Sequence, residues 1–252
     1  MFNLSKSTKE KIFTVLAYAS LVYGFIDCTT TGNWWPMVIS YLLFLEHGIL
    51  GNNVAMHRLY SHKGFTTGKI RNYWLLAEAV LCGSSVGPIT YAAVHRAHHA
   101  HSDGEKDPHS PHNDNPLYIG LGFHVFRKDA DKRNSGIRIP KDLMRDPMLM
   151  FIEQQYFKIW IVLTLVVYLT GGLNTVIYGL FAPAAIYILH ANIITNTLSH
   201  GFILPGTYRN FATDDSSTNH WLCQLLTLGE GYQNNHHQDC TTCSQATKPG
   251  EF

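Results

Sequence analysis

The chain has 252 residues, of which 46% are hydrophobic, 12% aromatic and 15% charged, with a formal net charge of +1. That is enough for one sizeable domain, 1–252, with no internal repeat, low-complexity tract or nucleic-acid motif. Five cysteines, an odd number without a framework, exclude a disulfide scaffold and fit a reducing compartment.

In chain order, apolar runs occupy about 12–26, 35–50, 156–170 and 173–195. Only the last reaches the ~20 residues expected of a membrane-spanning helix, yet the four pair naturally as two helical hairpins. The first run leads into Asp27-Cys28-Thr29 and a second apolar run, which is not the pattern of a cleaved signal. Of 19 Lys and Arg, Lys6, Lys9 and Lys11 precede or open the first run, and most of the rest lie between Arg58 and Lys158; the connections 27–34 and 171–172 contain none. This is the positive-inside pattern for four spans with both termini and the central region on the cytoplasmic side. The predicted architecture is therefore an all-α integral membrane protein with spans at about 12–26, 35–54, 156–170 and 173–195. A cytoplasmic helical cap is expected from 55–155 and 196–252. The moderately apolar stretch 72–94 is expected to lie along the membrane or to dip in and return, broken near Gly83, Gly87 and Pro88. The segment 101–148 reads as a cytoplasmic loop.

The chemistry lies in the histidines. Of 15, His57 and His62 stand in HRLYSH, His95, His98 and His99 in HRAHH, His200 in NTLSH, and His236 and His237 in QNNHH. Neutral imidazole is a strong transition-metal ligand, and eight exceed what one ion takes, so two metals are implied. On a helix His98 and His99 both lie on the face of His95 yet point about 100° apart, which lets neighbours serve two ions. His57 and His62 are five apart and need a helix end or turn to converge. His101 and His190 flank clusters but are not expected to be ligands.

Other features carry less. Cys240 and Cys243 have CxxC spacing without a second pair or a thioredoxin-like pattern. Glu46 and His47 fall inside the second span and read as a satisfied interior pair, and Trp34, Trp35 and Tyr156 as interface anchors. The central cations mark the cytoplasmic side and offer a surface for an anionic headgroup or an acidic electron donor. No haem-binding, flavin or dinucleotide motif appears.

HRLYSH, HRAHHAHSDGEKDPH, NTLSHGF and GEGYQNNHH, with Asp215, Ser217 and Asn219 in DDSSTN, resemble the integral-membrane fatty acid desaturases of the stearoyl-CoA type. The resemblance runs from about Gly51 to His237 and implies a cis double bond inserted into a fatty acyl thioester or acyl lipid. It implies two iron ions, dioxygen, and an external electron donor, a b-type cytochrome or a ferredoxin. By the same resemblance one iron takes His57, His62, His95, His99 and His237. The other takes His98, His200, His236 and residue 233, with Asn196 holding a water. Arg58, His109, Asp215 and Asn219 are expected near the substrate. Gln233 departs from the pattern, where a histidine is expected, and its carbonyl is a harder, weaker ligand. Ligand motifs leave two alternatives open, a related membrane di-iron hydroxylase and a non-catalytic metal-binding membrane protein.

Overall fold

The computed structural model describes residues 4–126, 136–201 and 204–252. Arg127, Lys128, Lys132 and Arg133 of the central basic region and Phe202 of NTLSHGF lie outside them. The described residues are all-helical, with no β-strand and only isolated bridges joining Tyr208 to Asn219 and Asn219 to Tyr232.

Local sequence sets the helix ends. Helix α1 (Lys6–Thr31) opens on Ser5, whose hydroxyl accepts from the Thr8 amide, and closes at Gly32 in the left-handed region. Helix α2 (Trp35–His47) carries Pro36 in its first turn and continues as a wider π-helix, Gly48–Ser61. Helices α3 (Lys69–Leu81) and α4 (Pro88–His101) are separated by a turn that holds Gly83 and Ser85 at positive φ, so the break expected in 72–94 is present. After α5 (Pro116–Gly120), α6 (Pro147–Val176) is capped by Asp146. The helix runs on through Ile177–Phe181, α7 (Ala182–His190) and Ala191–Leu198. Gly172 breaks this run with φ 75° and ψ −176°, at the 171–172 connection. Two short helices follow, α8 (Trp221–Thr227) and α9 (Gln233–Gln238).

The chain falls into two compact units. One comprises 1–56, 68–91 and 139–188, the other 57–67, 92–138 and 189–252. The packing thus puts 68–91 and 139–155, which the sequence boundaries assign to the cap, with the apolar helices, and 189–195 with the histidines.

Lys6–Thr31, in the first unit, and Pro147–Leu198, most of which belongs to it, are each long and apolar enough to cross a membrane. Side chains such as Val22, Phe25, Val162 and Leu169 face outward from α1 and α6, an apolar exterior that water penalises and lipid accepts. Inside, Phe13 meets Trp160 edge-on with centroids 4.8 Å apart, and the Trp160 indole donates to the Val80 carbonyl at 3.2 Å. Gly83 is required twice over: its φ is +71°, and an added Cβ would stand 2.4 Å from the Ala184 Cβ. Two expectations are corrected here. His47 pairs with Glu78 at 2.7 Å rather than with Glu46, which faces outward. Tyr156 is buried, so it is no interface anchor, whereas Trp34 and Trp35 are exposed. Glu153 shows why α4 begins at Pro88: its carboxylate accepts from the Ile89 and Thr90 amides at 3.0 and 3.2 Å.

In the second unit, helices α5, α8 and α9 and the segment Ala191–Leu198 enclose the histidine motifs, and Gly120 packs against Thr197 and Ile193.

Candidate metal centre

The π-helical turn answers how His57 and His62 converge. The His62 amide donates to the His57 carbonyl at 3.1 Å, an i to i+5 bond, so five residues make about one turn rather than the ~140° offset of an α-helix. Their rings lie 4.8 Å apart. His95 and His99, one turn apart on α4, face them, and His236 from α9 completes the group. One nitrogen from each of these five lies within 4.8 Å of all the others. His98, on the neighbouring face of α4, meets His200 and His237 in a second group by the same measure. The structure therefore brings together all eight histidines singled out by spacing, and neither His101 nor His190 joins a group.

The membership differs from the expected one in a single exchange: His236 stands in the first group and His237 in the second. Successive residues on α9 point about 100° apart, so one of the pair serves each group. Which serves which is set by how α9 is held, not by spacing.

Four carboxylates orient the rings. The Nδ1 of His57 meets Glu230 at 2.8 Å, that of His98 meets Asp107 at 2.8 Å, that of His200 meets Asp103 at 3.3 Å, and that of His237 meets Asp215 at 2.6 Å. A carboxylate that accepts the Nδ1 proton fixes the tautomer with its lone pair on Nε2, the arrangement that makes an imidazole a directed and more basic ligand. The Nε2 atoms indeed converge. His57 and His236 approach to 2.9 Å, His62 and His95 to 2.7 Å, and His99 lies 3.1 Å from both His95 and His236. The Nε2 of His237 is buried and has no hydrogen-bond partner. Ring nitrogens gathered this closely, away from water, fit a cation between them, so the residues fit a metal.

Electrostatics favour neutral ligands. Burial, helped by the surrounding imidazoles, pushes His62 down to about 2 and holds His95, His99 and His236 well below the usual imidazole range. Burial lowers His237 to about 3 despite Asp215. For the carboxylates burial acts upward, but the His98 bond and the His109 charge outweigh it at Asp107, as the His237 bond does at Asp215. Both stay well below the ordinary carboxylate range. The sign of the pH dependence follows. Unfolded histidines take up protons near pH 6.5 while these five do not, so acidification favours the unfolded chain until the depressed folded values are reached. The metal-free protein in detergent is expected to melt at a lower temperature at pH 5.5 than at pH 7.5; a flat profile would contradict neutral, buried imidazoles.

Three residues expected near the substrate have partners close to the histidines. Arg58 reaches Glu230 at 3.0 Å and the Gly229 carbonyl at 2.9 Å. Asp215 orients His237, and Asn219 is fully buried with its amide donating to Asn235 at 2.7 Å. His109 lies beside His98, ring centroids 4.6 Å apart, sharing Asp107 with it. Gln233 is buried on α9 and its amide donates to the Glu230 carbonyl at 2.9 Å. Asn196 donates to Asn192 at 3.2 Å, one turn before His200. Sequence reasoning missed Glu230, Asp103 and Asp107 as partners, although all three stand inside the quoted motifs. Cys240 and Cys243 are free thiols, and the Cys243 thiol is 3.2 Å from the Gly64 carbonyl.

Among the described residues, an all-helical fold with apolar helices of membrane-crossing length and two histidine groups that could each hold a metal fits a membrane-associated metal-binding protein. Comparison with known proteins narrows the class. The fatty acid desaturase family matches residues 32–243. The chain is similar to an sn-1 stearoyl-lipid 9-desaturase of Anabaena variabilis, 32% identical over 93% of this chain and 84% of that one. An enzyme of the same name from Synechocystis is 30% identical over 81% of the chain, which spans only 62% of that protein. An acyl-CoA C20 Delta5-desaturase of Anemone leveillei is 26% identical over 92% of the chain and 72% of that one. The chain belongs to the fatty acid desaturase family, oxidoreductases that introduce double bonds into fatty acyl chains.

Proposed function

We propose that this chain is a di-iron, dioxygen-dependent desaturase of a fatty acyl chain carried as an acyl lipid or a thioester. The observation that carries the reading is the pair of histidine groups: the Nε2 atoms of His57, His62, His95, His99 and His236 converge, and the Nδ1 atoms of His98, His200 and His237 are each committed to a carboxylate. His57, His62, His95, His99 and His236 would hold one iron. His98, His200 and His237 would hold the other, with Gln233 and, through a water, Asn196 completing it. When bound, the irons supply the oxidising power, drawn from dioxygen and two external electrons, that removes hydrogen from unactivated methylenes. The chain's own part is to keep His62, His95, His99, His236 and His237 neutral, to aim His57, His98, His200 and His237 by Glu230, Asp107, Asp103 and Asp215, and to bury the site from water. A b-type cytochrome or a ferredoxin would deliver the electrons.

In the membrane, four spans with both termini and the histidines on the cytoplasmic side are supported by the asymmetry of Lys and Arg and by the helix break at Gly172.

The test is expression in a desaturase-deficient host with a supplied electron donor, followed by mass spectrometry of fatty acids released separately from each lipid class and from thioesters. New monounsaturated chains are expected, and the fraction that acquires them first reports the carrier. Hydroxylated chains or unchanged lipids would overturn the reading. Gln233→His, assayed in the same host, is expected to raise iron retention and leave the product unchanged; identical iron affinity would remove residue 233 from the ligands.

A further inference from the structure

The last nine residues touch the metal centre without supplying a ligand. Gln245 is buried and uses its amide at both ends. Its Nε2 donates to Glu230 Oε2 at 2.8 Å, and its Oε1 accepts from the Tyr232 amide at 3.0 Å. Glu230 Oε2 is also the atom that meets His57 Nδ1 at 2.8 Å. The Gln245 carbonyl accepts from Asn235 Nδ2 at 2.8 Å, on the residue preceding His236. Farther on, Glu251 Oε2 takes the same Asn235 amide at 2.9 Å and the Thr247 and Lys248 amides at 2.7 and 3.0 Å. Its Oε1 accepts from Tyr208 and Asn210, both at 2.7 Å. One side chain thus fixes the rotamer of the carboxylate that aims His57 and the start of the helix that carries His236.

We propose that Gln245 is a positioning residue for the five-histidine group, acting through Glu230 on His57 and through Tyr232 and Asn235 on His236, with Glu251 securing the strap that holds it. The inference rests on reading that group as a metal site. It commits to a direction of effect: the five-histidine group depends on the strap, whereas the group of His98, His200 and His237 is aimed by Asp107, Asp103 and Asp215, none of which Gln245 touches. The glutamine is suited to the task because its NH2 donates to Glu230 Oε2 while its separate carbonyl oxygen accepts from the Tyr232 amide, so one side chain spans both contacts.

The experiment measures ferrous iron retained by the full-length, detergent-solubilised protein during titration with a chelator, together with its thermal transition. The variants are Gln245→Glu and Gln245→Met, which keeps the length of the side chain but offers neither donor nor acceptor. The isosteric change sets two carboxylates against each other and is expected to weaken one of the two iron sites about 10-fold, the low end of what a lost outer partner costs, while the other site titrates as before. Gln245→Met leaves Glu230 without that donor and is expected to weaken the same single site. A uniform loss at both sites, or unchanged retention in both variants, overturns the proposal and leaves Gln245 a general stabiliser. Iron binding in the unaltered chain is the control for the underlying reading; if it is absent, the metal site itself fails and the proposal with it.

Discussion

Replacement of His98 by alanine is expected to abolish desaturation and to empty one iron site while the other still fills. His98 belongs to the smaller group, with His200 and His237, so its loss leaves two imidazoles where three converged. The five-histidine group loses none of its members. The effect on activity should exceed the ~10–100-fold that removal of an outer partner costs, because the ligand itself is gone. His101→Ala is the matched control, since His101 lies on the same helix, α4, but is exposed and outside both groups. The measurement is iron per chain by elemental analysis beside product by mass spectrometry. Wild-type conversion by a His98→Ala protein would end the two-metal reading, and equal loss in both variants would trace the effect to the helix rather than to the ligand.

That contrast also shows what spacing alone can and cannot say. HRAHH gave both the shared face and the divergence of His98 from His99, because α-helix geometry is regular and the motif sits wholly inside α4. HRLYSH left its convergence unresolved, since five residues close a turn only in a π-helix, and nothing in those six letters distinguishes that from a helix end. In QNNHH the division of labour was legible but not its direction. Asn235, gripped by Asn219, Gln245 and Glu251, fixes how α9 is rolled, and those partners lie outside the helix, 10 to 16 residues away. The orienting carboxylates were hidden for the same reason. Asp103 and Asp107 stand close to HRAHH, yet Asp103 serves His200, 97 residues away. The apolar runs marked helices long enough to cross a membrane, but they could not tell that His47 turns to Glu78 or that Tyr156 is buried, because both depend on which helices pack together.

Asp107 should be the most damaging position that is not a ligand. Its carboxylate is almost completely buried and accepts from His98 Nδ1 at 2.8 Å, from the Asp103 amide at 2.8 Å and from the His109 amide at 3.0 Å. Alanine would strand all three donors, each worth about 1–3 kcal/mol when buried without a partner, so Asp107→Ala is expected to cost several kcal/mol of stability. Asparagine separates stability from ligand alignment. It keeps the volume and one carbonyl oxygen, but its NH2 must face one of the donors that the carboxylate accepted, and His98 loses the charged partner that raises its basicity. Asp107→Asn should therefore fold with a smaller loss of thermal stability than Asp107→Ala yet hold iron about 10–100-fold less tightly at the site of His98, His200 and His237. His109→Ala discriminates the route, because it removes the other imidazole on Asp107 and leaves the His98 bond in place. If Asp107 works through His98, that variant keeps its iron; if His109→Ala and Asp107→Asn release iron alike, the contact that matters is with His109, and the orienting role assigned to Asp107 on His98 fails.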